Sequence, residues 1–132
     1  MTPKALFLAP LALGLAACAT TPQAPADSLD AIADDYLLLQ LTIGEKEDGY
    51  IDAYYGPEAV QQQAVADASG YTLPQLEARV VALKLRAGAF ADDGIEGDSM
   101  EERRARFLAA QLTAARTRLR MMRGETIPFV EE

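Results

Sequence analysis

The sequence predicts an all-α fold, a small helical bundle of about four helices, and three observations predict it. Apolar residues recur three and four apart in successive segments, capping and glycine–proline signals punctuate those segments, and nothing alternates apolar with polar over a strand-like length. The first helix is expected from Leu29 to Ile43, with Leu29, Ile32, Tyr36, Leu39 and Ile43 on one stripe. Ala33, Leu37 and Leu41 widen the stripe, Asp27 or Ser28 supplies the cap, and Gly44 closes the helix. A charged turn, Glu45-Lys46-Glu47-Asp48-Gly49, follows.

The second unit spans Tyr50–Gly70, with Gly56-Pro57 as its start signal and proline at the first helical position. Tyr55 and Val60 are spaced for a hydrophobic staple across that start, and Gly70 ends a short helix rich in Gln and Ala. Thr72 and Gln75 form a capping box for the third helix, whose apolar positions are Leu73, Leu76, Val80, Leu83, Ala87 and Phe90. A second box, Ser99 to Glu102, opens a fourth helix that reaches about Arg123 before Gly124. Ala105, Leu108, Leu112, Ala115, Leu119 and Met122 share the spacing of the third helix, which predicts an antiparallel C-terminal hairpin with helix one laid against it. Ala87 and Ala115 are expected to receive larger side chains there. Glu101 and Glu102 in the first turn, and Arg120 and Arg123 in the last, agree with the helix dipole, and Glu102 with Arg106 makes a favourable i,i+4 pair.

The amino end has a different composition. Lys4 precedes the apolar run Ala5–Leu15, which falls well short of the roughly twenty residues that span a bilayer. Pro10 interrupts it, and Leu15-Ala16-Ala17-Cys18 ends it with small residues ahead of the chain's one cysteine. This arrangement resembles a bacterial lipoprotein signal with its lipobox. The resemblance implies a cleaved signal at residues 1–17 and a lipid on Cys18, which becomes the new amino terminus. The alternative is plain A-x-A cleavage at Ala17-Cys18-Ala19, with an unlipidated chain starting at Thr20. In the lipid reading, residues 18–27 are a flexible tether (ATTPQAPA and its flanks) and 28–132 the helical domain. Ala19, in place of Asp, resembles lipoproteins sorted to the outer membrane, so the expected location is the cell envelope, facing the periplasm. The membrane is then a partner through the lipid on Cys18.

Removing 17 of 132 residues leaves 115, enough for one modest core, with 11 basic against 20 acidic residues and a formal charge of −9. That balance disfavours nucleic acid and bare anionic lipid as partners. A single cysteine allows no internal disulfide, so packing must carry stability. With no histidine and no free thiol once Cys18 is modified, H-E-x-x-H zinc sites, serine–histidine triads and cysteine–histidine pairs are excluded for this polypeptide.

Other chemical signals have plainer readings. Asp92–Asp98 fits a calcium loop at Asp92, Glu96 and Gly97, but position three is Gly94 and position twelve Arg103, so a solvated acidic loop is expected. Seven of the twelve basic residues lie between Arg103 and Arg123 and flank an apolar stripe, which predicts a solvated face pairing with Asp34-Asp35 and Asp92–Asp98. Asp48 and Asp52 are near neighbours, with nothing to drive them into separate acid and base roles. No cofactor, metal or catalytic residue is expected.

Tyr50-Ile51-Asp52-Ala53-Tyr54-Tyr55-Gly56-Pro57 is the most distinctive segment. Its D-A-Y-Y-G-P core, Asp52, Tyr54, Tyr55, Gly56 and Pro57 included, resembles the amino-terminal part of a family of longer, largely helical bacterial proteins, some described as metallopeptidase-like. Arg103–Glu132 fits the same resemblance, with its arginine-rich helix, the Arg123-Gly124-Glu125 turn and the Phe129-Val130-Glu131-Glu132 end. The family's zinc motif lies beyond the part that this chain resembles, so the resemblance carries over no catalytic residue. The expectation is a membrane-anchored helical domain with no catalytic site of its own, whose biochemical role the sequence does not specify and whose further partner is either another protein or a missing C-terminal half. The alternative is a truncated or split piece of a metallopeptidase-like hydrolase whose other half is the partner. Composition leaves the oligomeric state open.

Overall fold

Ser28 sets where the first helix starts. Its Oγ accepts from the Ala31 N–H at 3.1 Å, which satisfies an amide that no earlier carbonyl reaches. In the computed structural model, which describes residues 27–91 and 99–128, four helices follow: α1 (Leu29–Gly44), α2 (Glu58–Gly70), α3 (Leu73–Gly88) and α4 (Met100–Met122). No strand occurs among the described residues, so the all-α expectation holds. None of these helices is long and apolar enough to cross a membrane.

The helix ends follow local chemistry, with some departures from expectation. Gly44 lies inside α1 without a left-handed φ, and a Cβ there would come within 2.8 Å of Ile51 Cγ1, so close approach of the next turn is the reason for glycine. Pro57 caps α2 from outside at φ −60° and ψ 131°, one residue before its expected helical position. Gln75 Oε1 accepts from the Thr72 N–H at 2.9 Å ahead of α3. Ser99 and Glu102 close the box on α4, with the Ser99 N–H donating to Glu102 Oε2 at 2.6 Å and the Glu102 N–H to Ser99 Oγ at 3.1 Å. At the far end Gly124 turns left-handed at φ 86°. The Gly124 N–H then reaches the Met121 carbonyl at 2.8 Å and the Glu125 N–H reaches that of Arg120 at 3.1 Å, a Schellman turn that satisfies two orphan acceptors.

Ion pairs at both ends show how the helices run. Glu77, early in α3, holds Arg116 at 3.0 Å and also Arg123, both late in α4, so α3 and α4 are antiparallel. Asp30 pairs with Arg104 at 3.0 Å and Glu47 with Arg118 at the other end, which sets α1 parallel to α4. Arg86, late in α3, takes Asp27 at 2.6 Å and Asp35 at 2.7 Å, so α1 opposes α3.

The core lies in the seam of α1, α3 and α4. Ile32 and Ile43 meet Leu76, Val80 and Ala87, and Ala105, Leu112, Ala115 and Leu119 close the third side, all of them essentially without exposed surface. Ala87 and Ala115, the small residues expected there, lie in this core among the larger side chains, and so does Ala105. Leu37 departs from the expected stripe and stands 38% exposed, while Leu41 and Thr42 beside it are buried. α2 packs on α1 with Ala64 and Ala68 as its buried residues, and its Asp67 pairs with Arg79 of α3 at 3.2 Å.

Leu112 sits at 0% exposure where the three helices meet. Leu112→Ala should cost about 2–5 kcal/mol in chemical denaturation. Leu112→Asp, which buries an unpaired charge, should abolish cooperative unfolding and most helical circular dichroism. Retained helicity and melting in the aspartate variant would refute this core.

Candidate functional site

The tyrosine turn is built from the helix that precedes it. Tyr50 folds back on α1 and donates its hydroxyl to Gln40 Oε1 at 2.5 Å, with its ring packed against the core. Burial, with smaller contributions from Tyr36 and Glu47, pushes the Tyr50 hydroxyl up to about 12, and burial raises Tyr36 as well. Gln40 Nε2 is buried without a partner among the described residues. Glu47 at the same turn is gripped by Arg118, which holds its carboxyl below the usual range.

The two tyrosines of the D-A-Y-Y-G-P segment part company. Tyr54 curls over the chain and donates to the Pro57 carbonyl at 3.3 Å. A Cβ at residue 56 would overlap its hydroxyl, so Gly56 is what lets the ring close over the turn. Tyr55 points the other way and is 96% exposed, so the staple expected between Tyr55 and Val60 does not form. Of the two rings, Tyr54 is the one that closes over the start of α2. Asp52 is exposed, as are Gly56 and Pro57.

Beside this turn is an open concavity of about 390 Å³ whose wall includes Glu45, Asp48, Asp52, Tyr54 and Gln61. Asp48 and Asp52 both stand in solvent, so no burial separates them into an acid and a base. A second hollow, an apolar groove of about 440 Å³, opens between α1 and α2 and is lined by Asp34, Asp35, Leu37, Leu38, Ala59, Val60 and Gln63. Among the described residues no group of acidic or other ligating side chains is placed to hold a metal ion.

The arginine-rich face of α4 is solvated and paired; the expected partner loop Asp92–Asp98 lies outside the described residues. Asp30, Glu47, Glu77 and Glu125 take Arg104, Arg118, Arg116, Arg120 and Arg123 between them. Asp35 goes instead to Arg86, whose fork also holds Asp27. Those bonds keep the Asp27 carboxyl low and the Arg86 guanidinium high. The Arg86 clasp and the Tyr50–Gln40 bond had no sequence signal, because the partners lie 59 and 10 residues apart without a motif. Cys18, the 1–17 signal, most of the 18–27 tether, the Asp92–Asp98 loop and the Phe129–Glu132 end lie outside the described residues.

No family model, curated protein or solved structure matches the chain.

Two outcomes follow from the titrating groups. Tyr50 keeps its proton in the fold to about 12, above its ordinary 10, so the fold binds more protons than the open chain across that interval. Its stabilising share is therefore full below the ordinary tyrosine value and drains away as pH rises towards the folded one. Absorbance near 295 nm should show Tyr50 ionising late, near 12, and Tyr50→Phe should remove that step. Simultaneous ionisation of all five tyrosines would contradict the packing. At the acid end Asp27, Glu47, Glu77 and Glu125 are all depressed by arginines, so their contribution stands above the ordinary carboxylate range and is lost as pH falls through their folded values.

Gly56→Ala should displace the Tyr54 ring, read as a changed Tyr54 ring resonance, whereas Tyr55→Ala should leave the melting midpoint where it was. An unmoved Tyr54 signal in the alanine variant would count against the closed turn.

Proposed function

We propose that this chain is a bacterial envelope lipoprotein: a helical domain, without a catalytic site of its own, held to a membrane through Cys18 and acting by binding another protein. The observation that carries the reading is Leu15-Ala16-Ala17-Cys18, which puts the only cysteine of a histidine-free chain directly behind a short apolar run. A lipid there contributes about 0.8 kcal/mol per buried methylene, and more than one acyl chain makes a firm anchor. The stretch from Cys18 to Ala26 is nine residues, which reach roughly 30 Å when extended. Ala19 favours the outer membrane, with the bundle facing the periplasm.

Mass spectrometry of the processed protein tests this. A product that begins at Cys18 and carries a diacylglyceryl group is expected, and Cys18→Ser should abolish both the lipid and membrane fractionation. An unacylated product that starts at Thr20 would refute the reading.

The D-A-Y-Y-G-P resemblance, with Tyr54 closing over Gly56 and Pro57, favours a second reading. In it the bundle is the amino-terminal piece of a metallopeptidase-like hydrolase, and the zinc chemistry belongs to a separately supplied half. A reading frame with H-E-x-x-H directly downstream of the Glu132 codon would support that reading, and its absence would leave the stand-alone module.

A further inference from the structure

The charges of this molecule are segregated in a way that internal pairing does not erase. From Asp27 to Ala78 the chain holds eleven acidic residues and one basic residue, Lys46. The arginines lie on α3 and α4, and those with an ion pair described above each hold a carboxylate. Asp34, Glu45, Asp48, Asp52 and Glu58 make no ion pair among the described residues, and all five lie on or beside α2. The apolar groove of Leu37, Leu38, Ala59 and Val60 opens on that same flank; no basic residue lines it, and of its two carboxylates Asp35 is held by Arg86 while Asp34 is not paired among the described residues. α2 covers α1 only through its small residues Ala64 and Ala68, which leaves the groove wall of α1 open.

We propose that this groove docks an apolar segment of a partner protein flanked by lysine or arginine. Leucine-sized side chains would fill the floor between Leu37, Leu38 and Val60, while cationic flanks would meet Asp34 and Glu58. A second copy of this chain is disfavoured, because its matching flank carries the same charge and the arginines of α4 already hold carboxylates. An anionic lipid surface is repelled by the same carboxylates. The other apolar groove, by Ala33, Met100 and Phe107, lacks this imbalance, since Arg103 and Arg104 rim it and Arg104 holds Asp30.

The inference rests on the reading of the chain as a protein-binding module, and its experiment is separate from the one on Cys18. Three labelled peptides are titrated by fluorescence anisotropy against the full chain in zwitterionic lipid nanodiscs, with empty nanodiscs as blank. One has leucines at helical spacing and lysines elsewhere, the second replaces lysine by glutamate, and the third replaces leucine by serine. The leucine–lysine peptide should bind at least about tenfold more tightly than either comparator. Asp34→Asn and Leu37→Ser, both at exposed positions, should each weaken it by about threefold or more, whereas Glu101→Gln and Leu85→Ser on the other helices should not.

Equal binding of the serine–lysine peptide would reduce the effect to charge alone, and equal binding of the leucine–glutamate peptide to apolar adhesion. Either result overturns the proposal. So does indifference to Asp34→Asn and Leu37→Ser. Self-association that Leu37→Ser abolishes would give the groove to a second copy and overturn it too. The titration reads the groove and the mass spectrum reads Cys18, so either can fail alone.

Discussion

The rest of the structure depends on one constraint: three amphipathic helices must bury their stripes in a single seam. Ile32 and Ile43 from α1, Leu76 and Val80 from α3, and Leu112 and Leu119 from α4 fill it, with Ala87, Ala105 and Ala115 set between them. Each fully buried aliphatic side chain contributes about 1.5–3 kcal/mol against an entropic cost of similar total size, so few of these positions are dispensable. The surface ion pairs add little energy individually. Their value here is orientation, because Glu77 with Arg116, Asp30 with Arg104 and Arg86 with Asp35 are satisfied together in one arrangement of the helix directions.

Once that seam is closed, α2 has nowhere to go but the outer side of α1. It is short, carries no basic residue, and buries only two alanines. The tyrosine turn delivers it there, with Tyr54 folded over Gly56 and Tyr50 tied to Gln40. The result is a flank with an open apolar groove where Arg79 and Arg86 hold Asp67 and Asp35, while Asp34 and Glu58 are left without an ion pair among the described residues. The charges are thus divided between faces: those paired across helices orient the bundle, while Asp34, Glu45, Asp48, Asp52 and Glu58 have no ion pair among the described residues.

Most of the fold was legible in the sequence because local rules and burial agree. The three-and-four spacing of α3 and α4 picked out their buried residues, and Ser99 with Glu102 marked the start of α4. The misreadings share a cause. Gly44, Pro57 and Tyr55 were given roles from their types alone, but the turn from Glu45 to Pro57 takes its shape from Ile51 pressing on Gly44 and Tyr54 lying over Gly56. Leu37 continued an apolar pattern, yet its angle on α1 falls at the edge of the α2 groove. The candidate site was hardly legible at all. Its groove arises from the crossing of α1 and α2, and the unpaired status of Asp34 depends on which carboxylates the distant arginines reach.

Native-state hydrogen exchange, read amide by amide, tests the division between a self-sufficient seam and an appended α2 most directly. The slowest amides should fall in Ile32–Ile43, Leu76–Leu83 and Leu108–Leu119 and exchange only with global unfolding, while those of α2 should open at a lower free energy. Equal protection of α2 with α3 and α4 would contradict the account, because α2 would then belong to the cooperative core.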